Sequence, residues 1–358
     1  MRRRGGSPFL VFVVTVALTV GGLYLFKNIN QQQQKSGNIL PRPLPTLPPG
    51  TPPPTTQSLY EFTTNTQVMH SEGCYEDQLV PYGLIILDWG APRYFGGGLY
   101  GAGTWAPDKS SGFADDDTIA RAVEAFIQGV WDCRLPTTDL AIGIGVSNNG
   151  PCWACPDPDN PNETQSGWYH AGEGWGQMVN QVEQFITSKG MQGQIVADGA
   201  DDMEVEWATF AETKAFVDGY NSVTRQLLFD FGDDSGGTNP WPWTAYQVWY
   251  VAYGAADDLP LPEIYGYDSG SVGQATGWEQ VSQWACQNEK GPMRIIGTMD
   301  EAPEAPSLPL GVSWKVMYQD ITSASCTSPM ASSLIFSTNI NFIWELCSDY
   351  HHCPWMGT

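Results

Sequence analysis

Histidine is scarce in this 358-residue chain, with four present: His70, His170, His351 and His352. That leaves little material for histidine-based triads or histidine-rich metal sites. Positive charge is scarce too. Lys and Arg total 16 against 39 Asp and Glu, a net charge of −23. Six of the 16 precede residue 61, where no acid occurs, so residues 61–358 set ten basic groups against 39 acids, a net −29. A domain that acidic repels phosphate backbones, which excludes nucleic acid as a partner. No Walker loop and no Gly-x-Ser-x-Gly elbow occurs. Asp234-Ser235-Gly236-Gly237 has a serine-protease form without any Ala-His-Cys partner. Gly96, Gly98 and Gly101 fit a Gly-x-Gly-x-x-Gly spacing, but they lead into Thr104-Trp105-Ala106-Pro107 instead of a helix and read as a flexible loop.

A long apolar run occurs near the start, the eighteen uncharged residues Phe9–Phe26, preceded by Arg2-Arg3-Arg4. At about 1.5 Å per residue this run matches a bilayer's hydrocarbon thickness. A cleaved signal peptide ending near Thr19-Val20-Gly21 is the alternative, but Leu23-Tyr24-Leu25-Phe26 prolongs the apolar stretch beyond an ordinary signal core. The reading is therefore a single-pass membrane protein. Residues 1–27 carry the cytoplasmic arginines and an anchor that meets the lipid bilayer through residues 9–26, and residues 28–358 lie outside the cell. Residues 28–60 form a linker with the run Gln31–Gln34 and eight prolines between Pro41 and Pro54, a semi-rigid polyproline spacer. Residues 61–358 form the acidic domain.

All eight cysteines follow the linker. An even count in an exported domain predicts disulfides, with Cys152–Cys155 and Cys347–Cys353 as local pairs. Zinc at Cys152-Trp-Ala-Cys155 is the alternative, weakened because only one such pair exists.

From Gly83 onward short apolar runs alternate with helix-period segments. Strands are expected at Leu84–Leu87, Leu140–Val146, Gln194–Asp198, Leu227–Phe231, Leu261–Tyr265, Met293–Thr298 and Leu334–Ser337. Helices are expected at Asp117–Trp131, Trp175–Lys189, Phe210–Ser222, Trp243–Ala252, Gln274–Gln287 and Trp314–Ile321. This is an α/β pattern whose length suits a TIM-like (β/α)8 barrel, with a doubly wound sheet as the alternative. Seven strands are legible; the eighth is expected around Leu99–Trp105 or within Asn148–Tyr169.

Barrel enzymes keep their chemistry at strand C-terminal ends, and four expected strands end in acid: Asp88; Asp198 through Glu206; Asp230 with Asp233 and Asp234; Asp300 with Glu301. Turn-forming Asp explains any one of these. If the chain stays extended past Asp198, then Asp202, Glu204 and Glu206 share a face, and neighbouring carboxylates there can split into an acid and a base. A calcium site, or the acids of a helix start, are the alternatives; no other cofactor is expected. Tryptophans beside the acids, Trp89, Trp105, Trp175, Trp207, Trp241 and Trp243, suit stacking on sugar rings.

Asp88, Asp202-Met203-Glu204 and Pro262-Glu263-Ile264-Tyr265 resemble the layout of glycoside hydrolase family 25 lysozymes and related glycoside-hydrolase-like barrels. Residues 199–301 also resemble bacterial extracellular proteins of unassigned function. The departure is Leu227–Phe231, an extra strand between the two motifs. The resemblance implies a polysaccharide or cell-wall glycan as partner, with Glu204 as general acid, Asp202 orienting or polarising the substrate and Asp88 shaping the pocket. Trp207, Trp89, Asp198, Asp230, Tyr265 and Asp300 are the expected substrate-binding residues. A non-catalytic glycan-binding module on a degenerate barrel is the alternative.

Overall fold

The computed structural model describes residues 47–103, 112–149, 164–233, 243–255, 257–265, 273–301 and 308–342, all within one unit, Leu40–Thr358. Strand and helix alternate as the periodicity predicts. The chain runs β1 (Thr55–Tyr60), α1 (Thr66–Leu79), β2 (Tyr82–Asp88), three hairpin strands β3 (Pro92–Gly96), β4 (Leu99–Gly103) and β5 (Phe113–Asp115), then α2 (Asp116–Cys133). It continues through β6 (Asp139–Ser147), α3 (Thr164–Ser188), β7 (Ile195–Asp202), α4 (Phe210–Val223), β8 (Leu228–Asp230) and α5 (Ala245–Trp249), extended by a π turn over Tyr250–Gly254. The remainder is β9 (Asp258–Pro260), α6 (Gln274–Gln287), β10 (Gly297–Asp300), α7 (Val312–Ser323), a 3-10 turn at Ser328–Ser333 and β11 (Phe336–Phe342).

Eight strands form one parallel sheet in the order β10-β11-β1-β2-β6-β7-β8-β9. The two edges then meet. Ile296 and Met299 donate backbone hydrogen bonds to Pro260 and Pro262, both at 2.9 Å, and Ile264 donates back to Met299 at 2.8 Å. With the Glu263–Met299 bridge this closes the sheet into a (β/α)8 barrel. The barrel interior is filled by Leu84, Ile86, Ala141, Ala200, Phe229, Leu259, Phe336 and Ile340, while a second, larger apolar cluster lies between the sheet and the helices.

The strand not legible in the sequence is β1, which falls inside the segment read as linker. It carries little apolar pattern, and its pairing with β11 and β2 on either side defines it. Helix α1 was equally hidden. Its buried positions are Val68, Met69, Glu72, Gly73, Glu76 and Asp77, so half of the face it turns inward is acidic and the apolar period is broken. The Gly96–Gly98 run is a left-handed turn between β3 and β4, with φ of 88°, 63° and 82°, part of a hairpin and not a phosphate loop. Asp115, just before α2, caps it: its Oδ1 accepts the Thr118 N–H at 2.8 Å.

Two helix pairs approach backbone to backbone. A Cβ on Gly73 would stand 2.0 Å from the Phe126 carbonyl oxygen, and one on Gly129 would stand 1.9 Å from that of His70, which locks α1 against α2. Gly172 and Gly219 repeat the arrangement between α3 and α4. Gly129→Ala is therefore expected to cost more than about 2 kcal/mol, since neither backbone can yield. Urea denaturation checks it, and an unchanged midpoint would show that the helices can separate freely.

Disulfides Cys74–Cys133 and Cys286–Cys326 close the α1–α2 and α6–α7 regions. Among the described residues no cysteine is free. The expected pairs Cys152–Cys155 and Cys347–Cys353, and the zinc alternative with them, lie outside the described residues.

The membrane reading is corrected. Among the described residues no helix is long and apolar enough to cross a membrane, and the expected anchor, Phe9–Phe26, lies outside them. The architecture the structure supports is the (β/α)8-like barrel. Single-pass topology, the bilayer partner, the signal-anchor and the cell-membrane, extracellular placement have no support in it and are set aside.

Candidate active site

Alternation along the barrel strands decides which acids can meet. Ile86 of β2 and Ala200 of β7 face the barrel interior, so Asp88 and Asp202, two residues further along each strand, face the same way at the C-terminal mouth. Tyr60, ending β1, also faces inward. Phe229 takes the inward position on β8, which turns Asp230 outward. Asp300 likewise faces α7, where its Oδ2 accepts the Ser313 hydroxyl at 2.7 Å.

At the mouth, the Tyr60 hydroxyl lies 3.3 Å from both Asp202 Oδ2 and Glu263 Oε1. Its hydrogen is therefore shared between a strand-end acid and one from the irregular segment after β9. Tyr265 donates its hydroxyl to the other Glu263 oxygen. Glu204 completes the group: one carboxyl oxygen each of Asp202, Glu204 and Glu263 lies within 4.8 Å of the other two. Asp202 and Glu263 are buried, while Glu204 is half-buried and reaches solvent.

Glu204 is held by its backbone. Asn148, just past β6, accepts the Glu204 N–H at 2.9 Å and donates Nδ2 to the Glu204 carbonyl at 3.0 Å and to the Thr213 hydroxyl at 3.1 Å. The strand thus ends at Asp202, and Trp207 donates to the Glu204 carbonyl at 3.2 Å to close a turn. The extended face running to Glu206 does not form; Glu206 is exposed. Asn148→Ala is expected to cost about 1–3 kcal/mol of stability, because it leaves the Glu204 N–H and carbonyl and the Thr213 hydroxyl without this partner. Urea denaturation checks it, and an unchanged midpoint would show that Asn148 does not hold the turn.

Burial raises every carboxyl here. Glu204 is pushed up to about 8, first by desolvation and then by Asp233 and Glu206. Asp202 stands well above the ordinary aspartate range, again through desolvation, with Glu263, Glu204 and Asp88 adding to it and the Tyr60 hydrogen bond opposing. Glu263 is raised by desolvation and Glu204 against the opposing hydrogen bond from Tyr265. Three carboxyls this close, two fully desolvated, resist ionising together, so they share protons or hold a cation in their place. Among the described residues this is also the one set of acids able to ligate a divalent ion.

The other expected residues fall elsewhere. Asp88 is buried at the mouth and adds to the field on Tyr60 and Asp202; its Oδ1 accepts the Gly90 N–H at 3.4 Å. Asp198 shares the inward face with Asp202 but lies four residues lower, about 13 Å along the strand, and accepts the Leu227 N–H at 2.9 Å. Asp230 accepts the Gly232 N–H at 3.2 Å and belongs electrostatically with Asp201. Trp89 is fully buried and presents no stacking face, and Trp175 and Trp243 are in the core, whereas Trp207 is half-buried. Trp105 and Trp241 lie outside the described residues. Tyr60 and Asn148 are members that sequence reasoning missed, and Glu263 was named only within the Pro262–Tyr265 motif, with no role assigned to it. The one available signal was an acid, Glu263, set inside the apolar run from Leu259 to Ile264.

No protein-family model matches the chain, and no curated protein matches it. Solved structures that overlay on it include an endo-1,4-beta-mannanase from Rhizomucor miehei, at 12% identity and a TM-score of 0.31, covering 85% of this chain and 88% of the mannanase. A GH20 beta-N-acetylhexosaminidase from Streptomyces coelicolor A3(2) overlays at 9% identity and a TM-score of 0.39, covering 84% of this chain and 60% of the hexosaminidase. This is a weak, low-identity resemblance to glycoside hydrolases and to no specific family among them. Overlaps of that quality say nothing of activity, and the barrel rests on its own strand pairing.

Proposed function

We propose that the barrel is a glycoside hydrolase working through the carboxyls at its mouth. One observation carries this reading: a half-buried Glu204, protonated below about pH 8, stands within 4.8 Å of two buried carboxyls at the end where barrels keep their chemistry. Glu204 donates its proton to the leaving glycosidic oxygen. Glu263, whose ionised form is favoured by the hydrogen bonds it accepts from Tyr60 and Tyr265, supplies the carboxylate that stabilises the positive charge developing at the sugar's anomeric carbon, with Asp202 beside it on the Tyr60 hydroxyl. Trp207 offers a partly open face for stacking.

Inverting enzymes separate their carboxyls by about 6.5–9.5 Å to admit a water, and retaining ones by about 5–5.5 Å. The short spacing here favours the second geometry. The test is reducing-end release from a glycan panel that includes peptidoglycan and storage polysaccharides, with the product anomer read by proton NMR. Retained configuration is the expected result; an inverted first product would rule out the close-pair mechanism, and no release from any glycan would sink the activity.

The same three acids favour a second reading, calcium held by Asp202, Glu204 and Glu263 in a non-catalytic glycan-binding barrel. Calorimetric titration with calcium separates the two, because a saturating stoichiometric ion would occupy the proton donor.

A further inference from the structure

Among the described residues the wall of this site is built from hydrogen-bond acceptors. The charged and phenolic groups there that act on Asp202, Glu204 and Glu263 are Asp88, Asp233, Glu206, Tyr60 and Tyr265, with no Lys, Arg or His. Both phenol hydrogens are already spent on the carboxyls. What is left unmet is acceptor capacity: Asp202 Oδ1 is buried with no hydrogen-bond partner in a residue 1% exposed. A buried acceptor without a donor is costly, so a ligand that fits must bring N–H or O–H groups and no negative charge. An ammonium supplies three donors and a positive charge; a hydroxyl or an acetamide supplies one donor and no charge.

We infer that the substrate is a glycan with free amino groups, an oligomer of 2-amino-2-deoxyhexose, whose ammonium seats against Asp202 and Glu263 while Glu204 addresses the adjacent glycosidic oxygen. This rests on the hydrolase reading above and adds the substrate class. In the reaction the C1–O bond breaks and the leaving oxygen takes the Glu204 proton. Water then supplies the hydroxyl to C1 and returns a proton to Glu204, so the sum is hydrolysis with no other reactant. Uronate, sulfated and phosphate-bearing glycans are excluded by the same wall.

The test uses short oligomers, because a chain of net charge −23 retains any polycation without specificity. Tetramers of the free-amine sugar, its N-acetyl form and a uronate are compared by reducing-end release with wild-type protein and by calorimetric binding to Glu204→Gln. The expected result is a kcat/KM at least about tenfold higher for the amine than for the N-acetyl tetramer, shrinking as salt is added, with the uronate neither bound nor cleaved. Asp202→Asn and Glu263→Gln should each remove the preference in binding, and folding of each variant is checked by its thermal midpoint. Cleavage with equal or reversed preference overturns the amine assignment and leaves the hydrolase. Amine binding that needs Asp202, without cleavage of any sugar, overturns the hydrolase and leaves the amine as ligand. Stoichiometric calcium that the amine tetramer cannot displace overturns the assignment as well, since the acceptors then belong to the ion.

Discussion

Glu204→Gln is expected to lower glycan cleavage by about 10²–10⁴-fold while leaving the fold and substrate binding intact. Glutamine keeps the size and the backbone bonds to Asn148 but has no proton to give to a leaving oxygen. The Glu204 carboxyl has no hydrogen-bond partner among the described residues, so nothing in the fold depends on its charge. Its loss removes repulsion from Asp233 and Glu206. The wild-type profile should carry an alkaline limb near pH 8, the pH at which Glu204 loses its proton. Release kinetics against pH, with thermal midpoints for both proteins, decide the matter. A variant that is fully active, or a wild type whose rate rises through pH 8, would remove Glu204 from the role of acid.

Acidification should stabilise this barrel. Glu61, Glu72 and Glu76 form a buried set between the end of β1 and α1, and both oxygens of Glu61 and of Glu72 lack any hydrogen-bond partner. Desolvation is the first cause of their raised values, with Glu76 standing at about 7. Asp198 and Asp230 also stand at about 7, and Asp201 well above the aspartate range, each mainly through desolvation. A carboxyl whose folded value exceeds its unfolded one binds protons more readily in the folded state. Its contribution is complete below the unfolded value, about 4, and is lost as pH rises through the folded one. For Glu76 alone the loss is about 3 kcal/mol. Thermal midpoints should therefore fall steadily between pH 5 and pH 8. Glu72→Gln should flatten that fall, raising the midpoint at pH 8 more than at pH 5. A midpoint that climbs over the same interval would mean that bound cations, not protons, neutralise these clusters.

Most of the fold was legible because helix and strand periods dominate it. The bounds of α6 match the expectation, Gln274–Gln287, and β6 differs by one residue at each end from Leu140–Val146. Strands whose buried residues continue past their hydrogen-bonded core were misplaced: Leu261–Tyr265 was read as the strand, whereas β9 is Asp258–Pro260, and the later residues serve to close the barrel onto β10. Asp-x-Glu at the end of β7 was also visible as a dense run of acids.

By itself the sequence determined the alternation of strands and helices, the acid excess, and the placement of Asp202 and Glu204 at a strand end, because period and charge are local properties. Tertiary structure decided the rest. Closure of the sheet brought Glu263 to Asp202 across 61 positions of sequence, and β1, with no pattern of its own, delivered Tyr60 to both. Strand parity, fixed by pairing on both sides, turned Asp88 and Asp202 into the mouth and Asp230 and Asp300 away from it. A contact between distant strands follows from register and closure, which no local pattern encodes.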